Sequence, residues 1–350
     1  MSAPRVNPSE QLSAPDVRQS QPPLVSVVVP TCNRRAILEK CLSALARQTH
    51  PSYEVIVVDD CSSDDTPELL RAFAEAHPAL SLRWFRNETH AGTNVSRNRG
   101  AREARGEYVA FLDSDCIARA DWLERLIAGF DRDNVAAVTG LVTDPPSANI
   151  YEHALSGIAR VHGRDAAPRL VGGNMAVRRE ALLRFPFDED PGWKSARVGA
   201  AVASPVCDEE GLYLSLRAAG YYQHVIPDAV VLHEHRYDCA SFFRHAINGG
   251  RGAAFLVHRY RLPPRLDLMP LLLLYMSLPV ALVFPPTWYA TGGLLAVFVV
   301  ALAYNEVFRK GKSLAGAALC LPLMIVYYQF RLFAYVGETI RLIRNQRRVR

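Results

Sequence analysis

Glu107–Cys116 reads EYVAFLDSDC. Its centre, Tyr108–Leu112, is an unbroken apolar run bounded by polar residues, the pattern of a buried strand. The run stops at two carboxylates, Asp113 and Asp115, with only Ser114 between them. In an open α/β sheet the ligand crevice lies beyond the carboxyl ends of the strands, so two hard oxygen donors stand where such a fold binds its ligand. Carboxylates this close repel each other unless a cation or hydrogen-bond donors sit between them. Mg2+ or Mn2+ carrying a ligand diphosphate meets that demand. A solvated Asp-Ser-Asp turn is the other reading, since Asp and Ser are ordinary turn residues.

The flanking chain supplies more strands. Leu24–Val29 is a β-rich run ended by Pro30. Glu54–Val58 is a second strand, closing on Asp59 and Asp60, and Leu80–Phe85 a third. Helical patterns lie between them: apolar residues at Ile37, Leu38, Cys41, Leu42 and Leu45, then Glu68–Ala76 behind Pro67, then Gly92–Ala104 carrying Arg97 and Arg99. Trp122–Phe130 reads as a helix and Val135–Val142 as a strand. Strand and helix alternating at this spacing predict an α/β fold, a mainly parallel sheet flanked by helices on both faces. Asp59/Asp60 and Asp113/Asp115 are then expected to line one crevice, where carboxylates can accept from ribose hydroxyls or a base N–H as well as bind metal. No GxGxxG follows the first strand and no GxxxxGK[ST] occurs, so the dinucleotide fingerprint and the phosphate loop are absent. Arg34, Arg35, Arg97 and Arg99 can supply positive charge near phosphates, or can be solvated surface arginines.

Composition narrows the class. The 350 residues suffice for one large domain or two ordinary ones. Of the seven cysteines no pair stands at metal-ligand spacing, which points to reduced thiols in a cytosolic compartment. No basic-then-apolar leader opens the chain, and residues 1–23, rich in Pro, Ser and Gln, are expected to be a disordered segment. Much of the net charge of +5 comes from the C-terminal RLIRNQRRVR, which suits nucleic acid or an anionic membrane. Its position beside apolar helices favours membrane lipid, and nucleic acid is not an expected partner.

PTCNR (Pro30–Arg34), VVDDCSSDDT (Val57–Thr66), GTNVSRNRG (Gly92–Gly100) and FLDSD (Phe111–Asp115) are followed by GGNMAVRREAL (Gly172–Leu182), CDEEGLYLSLRAAGY (Cys207–Tyr221) and PDAVVLHEH (Pro227–His235). In this order and spacing the chain from Val25 to about His258 resembles the inverting family 2 glycosyltransferases of GT-A fold. Each motif alone is weak; seven in order are specific. The resemblance implies a nucleotide-diphosphate sugar donor of UDP, GDP or dTDP type and a divalent cation, Mg2+ or Mn2+. It assigns Pro30, Thr31, Asn33, Arg34, Asp60, Arg97, Asn98, Asp113 and Ser114 to the nucleotide sugar, with Asp60 at the base. Asp113 and Asp115 would hold ribose and metal, and His233 would complete the metal site. Gly172, Gly173 and Asn174 would line the sugar and acceptor side; paired glycines also serve as a plain tight turn.

Inverting sugar transfer needs a carboxylate to take the acceptor's proton as its oxygen attacks C1. The family places it second in a Glu-Asp pair opening a helix. Here the pair is Asp208-Glu209, the residue types exchanged, with Leu212 and Leu216 four apart and Gly220 closing the helix. Register against Leu212 and Arg217 selects Glu209 as base and leaves Asp208 a competitor. Asp208 as N-cap, with Glu209 and Glu210 complementing the helix dipole, is the structural alternative. His233 and His235 flank Glu234 after the strand Ala229–Leu232 and can face one way; histidines at a strand end can equally be structural. Phe185–Val206 is longer than the family's usual segment and is expected to be a mobile acceptor loop, with Trp193 a sugar-stacking platform. Ser241–Leu256 reads as the helix and loop closing the unit over its ligand.

Leu268–Phe284 and Trp288–Phe308 are apolar over about the length of a bilayer core, joined by Pro285-Pro286. They predict a transmembrane hairpin, followed by RKGK (Arg309–Lys312) on the cytoplasmic side. Leu314–Gly337 is interrupted by Gln329 and Arg331, with Glu338 just beyond; an interfacial helix keeps the basic tail inside, and a third crossing does not. The expected organisation is residues 24–260 as the GT-A catalytic domain and 261–350 as a membrane-anchoring region, with catalysis on the cytoplasmic side of the inner membrane. The Gln-x-x-Arg-Trp motif of processive synthases is missing, so the resemblance implies single-sugar transfer to a hydroxyl acceptor, a lipid-linked saccharide or cell-envelope glycan. Two alternatives stand: transfer to a polyprenyl phosphate, and a catalytically silent nucleotide-sugar-binding membrane scaffold.

Overall fold

A computed structural model describes residues 23–156, 170–189, 208–234 and 236–349. Residues 1–22, most of the Phe185–Val206 loop with Trp193, and His235 fall outside these, and of Asp208 only the backbone is described.

Eight strands, β1 (Val25–Thr31), β2 (Tyr53–Asp59), β3 (Leu82–Arg86), β4 (Tyr108–Leu112), β5 (Cys116–Ala118), β6 (Val135–Thr143), β7 (Asn174–Arg178) and β8 (Tyr222–His233), form one mixed sheet. Their order is β3-β2-β1-β4-β7-β6-β8-β5. The β3-β2-β1-β4 half is parallel, as the strand–helix alternation predicts. β1, β2 and β4 are mostly apolar runs because helices cover both faces, while β3 at the edge is only partly buried. Val25, Val27 and Val29 of β1 pack with Leu38, Leu42 and Leu45 of α1 (Arg35–Leu45) and Leu69 and Leu70 of α2 (Thr66–Ala76). On the other face Val28 packs with Ala101 of α3 (Thr93–Glu103), Leu182 of α6 (Arg179–Arg184) and Leu212 and Leu216 of α7 (Asp208–Ala218).

Pro30 does not end β1, which runs on to Thr31. Successive residues of a strand bond to opposite neighbours, and the Thr31 carbonyl accepts from Asp60 N on the β2 side. Pro30 therefore faces β4, whose pairing stops at Val28, and its missing N–H removes no ladder bond.

The other half of the sheet is mixed. β7 is inserted antiparallel between β4 and β6, β5 pairs antiparallel with β8, and β6 and β8 are parallel. A three-residue β5 and the run NMAVR behind two glycines are too short to announce themselves as strands. The small helices α4 (Trp122–Ile127) and α5 (Ile150–Leu155) flank this half.

Four helices close the chain: α8 (Cys239–Arg259), α9 (Met269–Val283), α10 (Trp288–Tyr304, extended by a π turn over Asn305–Arg309) and α11 (Leu314–Val349). α8 begins in a capping box of Asp238 and Ser241. It is tied to the sheet domain at both ends, by Asn149 Nδ2 donating to the Tyr237 carbonyl and by Arg259 against Asp188. α11 lies along α8: Tyr327 meets Phe242, Phe330 meets Phe243, and Gly250 admits the backbone at Arg331 so closely that a Cβ would stand 2.1 Å from its carbonyl oxygen. The bases of the next two helices, at Leu268, Leu271, Phe298 and Leu302, pack around Leu332 of α11. Lys310 and Lys312, beyond α10, both donate to the Ala154 carbonyl of α5 and both pair at 2.6 Å with the fully buried Glu306.

Pro285–Arg309 and Leu314–Asn345 are long and apolar enough to cross a membrane, and Met269–Val283 is shorter. The hairpin expected from the two apolar runs is formed, and its tip is bare: Val283 and Tyr289 are 86% and 89% exposed. The stretch that Gln329 and Arg331 interrupt in sequence is one continuous helix. Those polar residues do not break it, because α11 is half covered by α8, while Leu319, Val326, Phe333 and Ile340, seven apart, form an exposed apolar stripe.

Candidate active site

At the parallel edge the polar groups are consumed by the loops themselves. Asn33 and Cys61 adopt left-handed backbone with φ of 52° and 63°, conformations Asn tolerates better than most residues. Asn33 Oδ1 accepts from Ser63 N at 2.7 Å, and its own N–H donates to Ser62 Oγ, so the turns after β1 and β2 are tied together. Asp60 accepts from Gly92 N, Ala91 N and Asn87 Nδ2 at 2.7 to 2.9 Å and stands 2.9 Å from His90 Nδ1. It is 4% exposed and shapes the loop leading into α3. Pro30 and Thr31 are buried in β1, and Ser114 is buried beside the acidic pair.

Two further residues expected at the ligand are spent on packing. Asn98 donates to the Phe187 carbonyl and Glu189 and accepts from Phe187 N, pinning that segment to α3 instead of facing a nucleotide. Asn174 is fully buried in β7: its Oδ1 accepts from Trp122 Nε1 and its Nδ2 donates to the Leu141 and Ala229 carbonyls, joining β6, β7, β8 and α4. A side chain with both donors and its acceptor engaged is a structural tie, so Asn174 does not line the sugar side.

Six of the remaining expected residues converge on one cavity of about 380 Å³ where β4, the β7 turn, α7 and β8 meet; Arg34 and Asp115 stand outside its lining. Its wall includes Arg97, Asp113, Gly172, Gly173, Glu209 and His233. Arg97, 4% exposed on α3, donates to Asp113 Oδ1 at 3.0 Å and lies over the Phe187 ring. Gly172 and Gly173 are required by proximity: a Cβ at the first would stand 2.4 Å from Arg97 Nη2 and at the second 2.7 Å from Asp113 Oδ2. Gly172 N donates to Glu209 Oε1 at 2.9 Å, which brings the first turn of α7 to the acidic pair.

Asp115, beyond the end of β4, is met by the Arg34 guanidinium and, at 3.5 Å, by His233 Nε2. Burial opposes the charge on His233, but the Asp115 carboxylate outweighs it, and the imidazole pKa is raised. Ligand atoms of Asp115, Cys116 and His233 lie within 4.8 Å of one another. Burial, with Asp113 and Asp115 alongside, holds the Cys116 thiol well above its usual range, so it remains a poor partner for a hard cation. Asp115 and His233 thus offer an oxygen and a nitrogen that Mn2+ or Mg2+ could accept as ligands, and the Arg34 guanidinium stands beside Asp115. Asp113, expected to share the metal, turns its carboxylate to Arg97.

Sequence reading did not single out Asp144, Tyr237 or His245, which line the same cavity. Pro227–His235 and Ser241–Leu256 came near them, but nothing in SFFRHAINGG marks one histidine as facing a hollow.

A glycosyl transferase family 2 model matches residues 26–184. Residues 26–184 are thus similar to the glycosyl transferase family 2 domain. Glycosyltransferase AglE of Haloferax volcanii is 38% identical over 122 residues, 34% of this chain and 40% of that protein. The GalNAc(5)-diNAcBac-PP-undecaprenol β-1,3-glucosyltransferase of Campylobacter jejuni is 38% identical over 94 residues, 27% of this chain and 30% of that protein. The similarity thus spans two fifths or less of these curated relatives. The mannosyltransferase PcManGT of Pyrobaculum calidifontis, solved with GDP-Man and Mn2+, superposes with a TM-score of 0.58 at 23% identity, over 92% of this chain and 88% of that one. That likeness establishes a GT-A-like fold.

Proposed function

We propose that the chain is a metal-dependent inverting glycosyltransferase moving one sugar from a nucleotide-diphosphate sugar to a hydroxyl of a lipid-linked saccharide or cell-envelope glycan at the cytoplasmic membrane face. The observation that carries this reading is the Glu209 carboxylate, fixed by Gly172 N on the wall shared with Asp113 and Arg97. Glu209 takes the acceptor's proton as its oxygen bonds to C1 and the bond from C1 to the diphosphate breaks. Arg97 and Arg34 orient the diphosphate, and Gly172 aims the base. A divalent cation held by Asp115 and His233 would neutralise charge on the departing diphosphate. The GDP-Man and Mn2+ bound by the Pyrobaculum neighbour and the undecaprenol-linked substrate named for the Campylobacter relative support donor, cation and acceptor class.

Among the described lining residues the carboxylates Asp113, Asp144, Glu152 and Glu209 outnumber the one guanidinium, Arg97. That balance favours a neutral hydroxyl over an ionised polyprenyl phosphate. For the membrane, residues 24–260 form the catalytic part and 261–350 the anchoring part. α11 keeps buried contacts from Ala317 to Leu342, about 38 Å of helix, which supports its lying flat with its apolar stripe in lipid and Arg341 and Arg344 near anionic headgroups.

Turnover of a panel of nucleotide sugars with Mn2+ tests the reading. Glu209→Gln is expected to lower transfer about 10²- to 10⁴-fold with donor affinity retained. Full activity of that variant would remove the base and favour a phosphate acceptor. Donor binding without turnover of any donor by the unaltered protein would favour a silent scaffold.

A further inference from the structure

The cavity extends well past the groups used for sugar transfer. Beyond Asp113 and Glu209 its wall is built by Leu155 and Ser156 at the end of α5, Tyr237 before α8, and His245 in the second turn of α8. An apolar side chain, a hydroxyl, a phenol ring and an imidazole make a surface for a polyhydroxylated ring with one apolar face. Among these four there is no lysine or arginine to hold a phosphate.

His245 is fixed from outside the catalytic fold. Its Nδ1 lies 2.8 Å from the Tyr327 hydroxyl, and its ring meets Tyr237 edge to face at 5.8 Å between centroids. Tyr327 belongs to α11 and is 2% exposed, wedged beside Phe242. The contact at Nδ1 holds the ring at the cavity wall, where an imidazole can exchange a hydrogen bond with a sugar hydroxyl. The helix with the exposed apolar stripe thus sets the aim of a residue in the cavity.

We propose that the α5–α8 end of the cavity is the acceptor's saccharide subsite, that His245 is its specificity-determining residue, and that Tyr327 of α11 is the positioning residue behind it. This rests on the glycosyltransferase reading above. The donor and the reacting carboxylates occupy the other end, so the subsite acts on acceptor binding and leaves donor handling alone.

The test uses the full-length protein in detergent, with two readouts: hydrolysis of the nucleotide sugar in the absence of acceptor, and transfer from it to a panel of octyl glycosides. His245→Ala is expected to raise KM for the best octyl glycoside about tenfold, the worth of a lost hydrogen bond and contact, with donor hydrolysis and donor KM unchanged. Tyr327→Phe keeps the ring and removes only the hydroxyl; a rise of about threefold in the same KM is expected, and none on top of His245→Ala in the double variant. An unchanged acceptor KM in a folded, donor-hydrolysing His245→Ala protein overturns the proposal. So does additivity of the two substitutions, which would separate Tyr327 from His245. A wild-type protein that hydrolyses the donor but glycosylates no octyl glycoside overturns the saccharide subsite while leaving the enzyme reading intact. Failure to hydrolyse any donor strikes the enzyme reading itself.

Discussion

At the ends of β1 and β2, Asp59, Asp60 and Asn33 are met mostly by backbone N–H groups and neutral side chains a few residues away in space. Beyond the end of β4, Asp113 and Asp115 are met by the charged side chains of Arg97 and Arg34 and by an imidazole from β8. The first arrangement closes loops: its donors belong to the turns and cannot leave without unfolding them. At Asp115 the second is open to exchange, because the Arg34 side chain is 42% exposed and could yield its place to a cation, whereas Arg97 at Asp113 is buried. Similar carboxylates at neighbouring strand ends therefore do different work, and the difference lies in what meets them.

Four substitutions probe this contrast. Asp115→Ala should have the largest effect on activity, removing the Mn2+-dependent rise in melting temperature given by a nucleoside diphosphate and lowering transfer by about 10³ or more. Unchanged diphosphate affinity with Mn2+ present would place the cation elsewhere. Gly173→Ala pushes a methyl toward Asp113 and should cost about 10²-fold in transfer with little change in melting temperature; an equal loss of stability would make the turn merely structural. Asp60→Ala strands several buried donors and should cost about 2–4 kcal/mol of unfolding free energy in urea titration, with activity falling only as the folded fraction falls. A folded Asp60→Ala protein that has lost nucleotide binding would reverse the contrast and return Asp60 to the ligand.

The smallest effect concerns pH. Burial pushes the Glu54 carboxyl up, but the Ser26 hydroxyl, Arg105 N–H and the Arg83 guanidinium outweigh it and hold it below the usual range. A carboxyl whose pKa is lower folded than unfolded adds stability above the unfolded value of about 4.3. That contribution is lost as pH falls through the folded pKa. Glu54→Gln should therefore be less stable than wild type at neutral pH and converge on it as the buffer is acidified. Parallel stability curves would mean the network is already broken.

The parallel half of the fold was legible because its strands are apolar on both faces and its helices repeat at short spacing. Tyr108–Leu112 needed no adjustment, and the convergence of Asp113, Gly172 and Glu209 follows from motif order. What stayed hidden depends on partners distant in sequence. Asn174 could not be told from a sugar-binding amide until Trp122 Nε1 was found against it. Asn98 could not be told from a nucleotide contact until Phe187 was seen to take both ends of its amide. The interruption at Arg331 reads as a break because sequence does not reveal that α8 packs against it at Gly249 and Gly250.

The grip of Lys310 and Lys312 on the Ala154 carbonyl, clamped through Glu306, has a further implication. It joins the foot of the apolar hairpin to α5, and α5 ends in Leu155 and Ser156 at the mouth of the cavity. The distance from the mouth to the apolar hairpin is thereby set by these packed contacts. Held on a bilayer, such a protein would act as a gauge, reaching only those glycans whose growing end stands at that one height.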